Sequence, residues 1–413
     1  MSNIDNVETA DAVTGEPGYF NKVFRLKKLE SIFLFITSKC QSNCRTCFNH
    51  GNLNRDDDLT FEQIETISKT SGKFDKLWLS GGEPFLRDDM VKIIVMFYEN
   101  NGIKSINLPS NGIARNKIIN MTGELLEKCP KLSIYLNFSL DGLGKTHDSI
   151  RGVKGNFLKT VGTIEEIKKL YSKNKNLMVN VATVVTKEGY NEMLDLAGYV
   201  AKKNFCDLHI HEILRGEVPD PTLKDLSIEE VKSLNDKLSP VMDLGAKRLF
   251  KDLKQGKKIA RLTYIGIMSF MDMIKEQNHD GPHHWGMNCT AGKTTFVIDA
   301  NGDFRSCEMR PPIGNLKDYN FNLRSAYNSK AMQEEISAIG GGKKADCWCT
   351  HGCWISSSLK FSPWSMLVRL PKVARRKERL IKQMPPLPDV DIAAIEAAAK
   401  YDDPQESVKE AAV

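Results

Sequence analysis

Three cysteines, Cys40, Cys44 and Cys47, stand in the stretch Phe35-Ile-Thr-Ser-Lys-Cys-Gln-Ser-Asn-Cys-Arg-Thr-Cys-Phe48. The loop follows an apolar, strand-like run, Ser31 to Thr37. Three soft thiolates this close suit three irons of a [4Fe–4S] cube. The fourth iron then has no protein ligand, and chemistry can take place at that position. The same thiols could hold zinc with a distant fourth ligand. Zinc ligands, however, usually come as C-x2-C or C-x4-C pairs with a second pair downstream. The C-x3-C-x2-C spacing after a strand favours the open cluster.

A second group runs Cys289, Cys307, Cys347, Cys349 and Cys353. Cys289 and Cys307 flank a hairpin-like stretch, Thr294 to Ser306, in which Asn301-Gly302 signals a type I′ turn. Such a hairpin brings two thiolates together at its open end, and the C-x-C-x3-C run supplies the remaining ligands. Four thiolates close a cluster fully, or equally make a structural zinc site. Which two of Cys347, Cys349 and Cys353 bind stays open, with Cys349 and Cys353 favoured. Cys129 and Cys206, at a helix end and a strand start, read as buried structural residues.

The elements that must position these groups alternate from about residue 31 to 235. Strands are expected at Ser31–Thr37, Lys76–Ser80, Ser105–Pro109, Leu132–Leu140, Leu177–Thr186 and Asp207–Leu214. Helical patterns of 10–15 residues lie between them, which means βα units and a parallel sheet. Six such units fit a partly closed barrel with its ligands at the C-terminal strand ends. The motifs sit on that rim: the cysteine loop after strand one, Gly81-Gly82-Glu83-Pro84 after strand two, Ser110-Asn111-Gly112 after strand three. Ser139-Leu140-Asp141-Gly142 ends strand four, and His211 with Arg215 ends strand six. Gly81 and Gly82 lack a Cβ and let backbone approach a ligand closely. Ser139 and Asp141 offer a hydroxyl and an acceptor suited to ribose hydroxyls.

The fold class expected is α/β, a partial (β/α)6 TIM-like barrel with a small C-terminal α+β cluster-binding domain. Its division is 1–29, a partly disordered N-terminal extension; 30–235, the barrel; 236–280, a helical linker; 281–358, the auxiliary domain; and 359–413, a basic segment and tail. The 413 residues, 41% hydrophobic and 27% charged, are ordinary for a soluble globular chain. No secretory signal pattern and no apolar run of roughly 20 residues appears. A cytoplasmic, reduced setting follows, where clustered cysteines mean metal rather than disulfides. The net charge of +6 is mild and predicts no nucleic-acid partner.

In order and in strand position, CxxxCxxC, GGEP and the Ser139–Gly142 motif resemble those of the radical SAM superfamily, over most of residues 30–235. The resemblance implies that Cys40, Cys44 and Cys47 bind a [4Fe–4S] cluster whose open iron is chelated by S-adenosylmethionine (SAM). It implies reductive cleavage to a 5′-deoxyadenosyl radical that abstracts hydrogen from substrate, with a reducing partner such as flavodoxin or ferredoxin. Glu83 and Pro84 then correspond to the contact with the methionyl amine. Asn111, Thr183 and Arg215 join Gly81, Gly82, Ser139 and Asp141 as cofactor-binding candidates, each also readable as a cap or surface contact. One departure is Thr46, where the family usually has an aromatic near adenine; here Phe48 follows the third cysteine instead. His147 could serve as a base, though a helix-start or loop role fits better. The second cysteine group resembles the start of SPASM/twitch extensions. Its five cysteines suit a twitch-like domain with one auxiliary [4Fe–4S] cluster.

The substrate expected is a small molecule, sugar or lipid. A peptide maturase is the alternative, disfavoured because only about 30 residues precede strand one, too few for a leader-binding domain. A substrate-free electron carrier is a third reading. Lys360 to Lys382 carries Lys360, Arg369, Lys372, Arg375, Arg376, Lys377, Arg379 and Lys382 against a single acid, Glu378. With Phe361, Trp364 and Leu367 among them, this stretch suits either an anionic membrane surface, at its inner face, or a helix packed on the body.

Overall fold

In the computed structural model, residues 29–281, 283, 285–339, 347 and 349–401 are described. The expected disorder near the N-terminus lies outside them. The alternation builds β1 (Ser31–Thr37), α1 (Phe61–Ser71), β2 (Lys76–Gly81), α2 (Met90–Asn101), β3 (Ser105–Ser110), α3 (Arg115–Lys128) and β4 (Ser133–Ser139). Two helices then follow, α4 (Gly144–Arg151) and α5 (Asn156–Tyr171), before β5 (Leu177–Val185), α6 (Met193–Lys203) and β6 (Leu208–Ile213). The sequence pattern does not show α4: eight residues, mostly polar, offer no apolar period. Gly152, at φ +65°, ends it. Strands β1 to β6 pair in parallel in chain order, the α/β partial barrel that βα units require.

Side-chain alternation sorts the two faces. Ile32, Leu34 and Ile36 of β1 join Leu77, Ile106, Ile134 and Val181 in the core beneath the helices. Each such fully buried side chain contributes roughly 1.5–3 kcal/mol. On the other face, Ser80, Asn107, Asn137 and Ser139 are half-buried, so solvent reaches the barrel interior. Along that wall Asn180 Nδ2 donates to Asn137 Oδ1 at 3.0 Å, and Asn137 Nδ2 to Asn107 Oδ1 at 3.4 Å.

Helices α7 (Ile228–Lys237), α8 (Ser239–Leu249) and α9 (Lys257–Gln277) follow, the last two within the stretch 236–280 expected to be helical. The chain then adds β7 (Thr295–Ile298), β8 (Asp303–Arg305), β9 (Gly314–Asn315), α10 (Leu323–Tyr327), α11 (Lys330–Ala338), α12 (Gly352–Leu359), α13 (Leu370–Ile381) and α14 (Ile392–Ala398). Strand β7 pairs in parallel with β1, and β8 and β9 continue antiparallel. The hairpin of the second cysteine region therefore extends the barrel sheet instead of forming a sheet of its own. Its turn also differs from the type I′ expectation, which requires positive φ at both central residues. Only Gly302 has it, at +88°, and the loop closes through Gly302 N–H donating to Asp299 O at 2.9 Å.

Because β7 covers its edge and α12 covers its inner face, all seven residues of β1 are buried. Trp354 of α12 stacks on Phe33, which stacks on Trp78 of β2, with ring centroids 5.7 and 5.0 Å apart. The described part of the tail packs on the barrel helices. Tyr199 donates to Glu396 of α14 at 2.8 Å, and a Cβ on Gly198 would meet Pro388 O at 2.4 Å. Thus residues 388–399 pack on α6 and α4.

Candidate active site

At the end of β1 the chain turns sharply, and Asp58 fixes the turn. Its carboxylate accepts from Thr37 Oγ1 at 2.6 Å and Ser38 N–H at 2.9 Å. The cysteine loop then runs over the barrel mouth. Cys44 is buried; Cys40 and Cys47 are half-buried. Burial first, then mutual repulsion of the three sulfurs, pushes Cys40 up and Cys47 to about 11. Ser42 N–H donates to Cys40 Sγ at 3.4 Å, and Asn49 N–H to the Cys47 sulfur.

The GGEP turn is built against this loop. A Cβ on Gly81 would meet Thr37 O at 2.2 Å, and one on Gly82 would meet Lys39 O at 2.1 Å. The glycines therefore let the β2 turn lie on the backbone of the cysteine loop, where Glu83 N–H donates to Lys39 O at 2.9 Å. Glu83 is 2% exposed. Its carboxylate accepts from Asn111 N–H at 2.7 Å and Phe85 N–H at 3.4 Å, and from the Ser110 hydroxyl. Burial nevertheless raises it to about 7. Pro84 opens the short helical turn behind it. Asn111 Nδ2 donates to Ser42 Oγ at 3.1 Å, tying the third strand end to the cysteine loop.

Asp141 is fully buried, and its oxygens are already engaged. Oδ1 accepts from Val184 N–H at 2.8 Å, and Oδ2 faces Arg151 Nη1 at 3.2 Å. A ribose contact would have to displace one of these. His147 is also fully buried: Nδ1 accepts from Asp141 N–H at 3.0 Å, which leaves Nε2–H to donate to Asn156 Oδ1 at 3.2 Å. Burial lowers it to about 3, so it is a neutral brace for the Asp141 turn. Arg151, not singled out in the sequence, is the cation here. Its charge acts on the sulfurs of Cys40 and Cys44 as well as on Asp141, and its Nε is buried with no partner among the described residues. Arg151 is the last residue of α4, ten residues past Asp141.

Not every candidate joins this group. Thr183 spends its hydroxyl on Leu140 O at 2.7 Å and on His209 Nε2 at 2.8 Å, inside the core. Ser139 stands half-buried at the end of β4 opposite Ala182. Arg215 turns toward the second cysteine group, its Nη2 3.4 Å from His351 Nε2 and its Nη1 3.5 Å from Glu212 Oε2. Thr46 is buried, and Phe48 sets its ring edge-on to Phe35 at 6.4 Å.

The second cysteines share one apolar cluster with Phe33, Trp285, Trp354 and Leu370. Again backbone N–H groups two residues on point at sulfur: Ala291 to Cys289 and Met309 to Cys307, both 3.4 Å, and His351 to Cys349 at 3.3 Å. Cys347 acts electrostatically on Cys289 and Cys349. Cys353, raised to about 12 by burial, lies in the first turn of α12 among Glu212, Glu308 and Arg215. His351 lies 2.8 Å from Glu308 Oε1, and Trp354 Nε1 donates to Oε2 at 2.9 Å. Lys275 of α9 pairs with Glu212 at 3.0 Å. This buried charged bridge joins the β6 rim to the second cysteine group. The two groups also converge on Gly216, where a Cβ would meet Phe48 Cβ at 3.0 Å and Met309 Sδ at 3.3 Å.

Among the described residues, no three His, Cys, Asp or Glu side chains are arranged to hold a single metal ion. The donor sets instead fit iron–sulfur clusters, which take thiolates and are tuned by N–H···S bonds and burial.

A parallel partial barrel with a three-thiol loop and a glycine-rich glutamate turn at its mouth defines the radical SAM class. Residues 34–200 match the model of the Radical SAM superfamily, and the chain carries a domain of that superfamily, whose cofactors are a [4Fe–4S] cluster and SAM. Among curated relatives, a "Probable GTP 3′,8-cyclase" of Methanocaldococcus jannaschii is 41% identical over 90 residues, 21% of this chain and 30% of its own. The antilisterial bacteriocin subtilosin biosynthesis protein AlbA of Bacillus subtilis is 26% identical over 312 residues, 72% of this chain and 59% of its own. The chain thus spans about a third of the first curated relatives it matches. Among solved structures, anSMEcpe with bound AdoMet superposes with TM-score 0.53 at 16% identity, covering 84% of this chain and 99% of that one. Streptococcus suis SuiB bound to precursor peptide SuiA gives 0.51 at 16%, covering 82% and 75%.

Proposed function

We propose that this protein is a radical SAM enzyme that cleaves SAM reductively and abstracts hydrogen from a substrate in the barrel interior. The convergence of Cys40, Cys44 and Cys47 with Glu83 and Asn111 at one strand-end rim carries this reading. Cys40, Cys44 and Cys47 would hold the cluster. When bound, the cluster and SAM supply a carbon-centred radical. The chain supplies the rest. Glu83 is an anion for the methionyl amine, held by Asn111 N–H. Arg151 is a fixed cation beside the sulfurs, balanced by Asp141. Cys289, Cys307 and Cys349, with Cys347 or Cys353, would hold the auxiliary cluster. Reduced flavodoxin or ferredoxin is the electron donor expected.

For the substrate we infer a peptide. Similarity to AlbA, named for bacteriocin biosynthesis, spans 72% of this chain, and SuiB of similar fold is bound to a precursor peptide. This moves away from the small-molecule, sugar or lipid expectation, which the similarities to GTP 3′,8-cyclases and to a pre-heme d1 synthase support.

Anaerobic reconstitution should load about eight irons, four per cluster, and dithionite should then yield 5′-deoxyadenosine from SAM. Replacing Cys40, Cys44 and Cys47 by Ala should abolish cleavage and leave about four irons. Cleavage retained in that variant would overturn the assignment; none in the intact protein would leave the electron-carrier reading standing. Deuterated synthetic peptides should pass deuterium into 5′-deoxyadenosine. Transfer from deuterated sugars or lipids and not from peptides returns the small-molecule reading.

A further inference from the structure

Helix α13 and the turn before it separate their charges by face. On the inner face, Leu370 and Ala374 pack on Gly266 of α9. Every charged side chain pointing inward is matched. Lys377 Nζ donates to Asn235 O and pairs with Asp236, both at 3.0 Å; Arg369 Nη1 donates to Trp285 O at 2.6 Å and lies over the Phe270 ring. Glu378, the single acid of the stretch, pairs inward with Arg261 at 3.0 Å, and Lys360 pairs with Glu30. The outer face is the reverse. Lys372, Arg375, Arg376, Arg379 and Lys382 are all exposed, and none forms an ion pair among the described residues. The helix therefore shows five cations outward with no acid between them.

Apolar side chains stand at the ends of this strip. Trp364 is 67% exposed and Leu367 68%, one turn apart just before α13. Helix α9 runs antiparallel to α13, with Phe270 beside Arg369, Gly266 beside Ala374 and Arg261 beside Glu378. That direction brings the N-terminus of α9, with exposed Lys257, Lys258 and Ile259, alongside the C-terminal end of α13. Ile259 is 67% exposed. Three of the five large apolar side chains exposed among the described residues thus flank one cationic strip. Leaving Trp and Leu in water costs free energy that a purely ionic partner would not repay. An interface of anionic headgroups over acyl chain takes both. Among the described residues no helix is long and apolar enough to cross a membrane.

We propose that the outer face of α13, with Trp364, Leu367 and the start of α9, docks on an anionic lipid surface. This surface is independent of the substrate reading above. The cations supply attraction that salt screens, and the apolar pair seats at the headgroup boundary.

The full-length protein is tested by co-sedimentation with vesicles of phosphatidylcholine containing 30% phosphatidylglycerol, against pure phosphatidylcholine. Binding is expected to the first set only, weakening several-fold when salt is raised from 0.05 to 0.5 M. Arg375→Gln with Arg376→Gln and Arg379→Gln should weaken it on the order of a hundredfold, at roughly fivefold per cation. Trp364→Ser with Leu367→Ser should weaken it at least several-fold at unchanged charge. All of these side chains are exposed, so circular dichroism and iron content should stay as in the parent. No sedimentation with the anionic set overturns the proposal, as does binding that the arginine changes leave intact. So does a charge variant that loses affinity for an acidic electron-transfer protein or for DNA but not for vesicles, which would assign the strip to that partner.

Discussion

Glu83 is the residue on which binding chemistry and stability meet. Its carboxyl is raised from 4.5 to about 7 by burial, so the ligand-free fold holds it partly protonated at neutral pH. A raised value means stability is lost as pH climbs from about 4.5 to 7, where the native state must carry a buried charge. A cationic amine placed beside it would draw the proton off. SAM affinity is therefore expected to rise with pH up to about 7 and level off above it. Proton release should appear in calorimetry at pH 6, and Glu83→Gln should flatten the profile; a flat profile in the parent protein would refute the pairing. Arg151 gives a second test. Asp141 has 0% exposure and Arg151 14%, so removing the cation strands a buried carboxylate. Arg151→Ala should destabilise by about 3–5 kcal/mol in denaturant unfolding, and adding Asp141→Asn should recover most of that. Residue identity and spacing made the cysteines and the GGEP turn readable. Arg151 was not, because its meaning is a pairing across a helix that the sequence does not announce. Thr183 fails the other way: a strand-end threonine looks available until its hydroxyl is found donating to Leu140 O.

At the scale of elements, the cysteine loop is held by close backbone approaches. Gly152 lies against it as Gly82 does, since a Cβ there would meet Asn43 O at 2.3 Å. Gly82→Ala should push the loop aside and lower iron loading at the first site by more than half, read from absorbance near 400 nm. Gly155 is the control: it has φ +74° but nothing within 4 Å of a Cβ, so Gly155→Ala should cost about 1 kcal/mol and leave iron content unchanged. Strand positions were legible because alternation and apolar runs report burial directly. Short polar α4 was not, nor was the true turn between β7 and β8. Asn301-Gly302 signals a two-residue loop, but the close of the hairpin is set by Asp299, which lies outside that dipeptide.

Across the whole molecule, the hairpin flanked by Cys289 and Cys307 belongs to the same sheet as β1, the strand that leads into the first cysteine loop. Cys289→Ser should lower iron to about four per chain while SAM cleavage persists; loss of all iron would show that the two sites load as one. The sequence could not reveal the β1–β7 pairing, because β7 is only four residues long and its partner lies more than 250 residues upstream. That pairing, sealed by Ser31 Oγ and Thr295 Oγ1 at 2.7 Å, also sets a timetable. On a ribosome adding about 5–20 residues per second, the apolar edge of β1 emerges some tens of seconds before the strand that will cover it. Until then it is a bare, sticky ribbon of the kind that pairs with copies of itself. A newborn chain has to be shielded over that interval, and slow synthesis or early release would cost soluble yield before any iron is at stake.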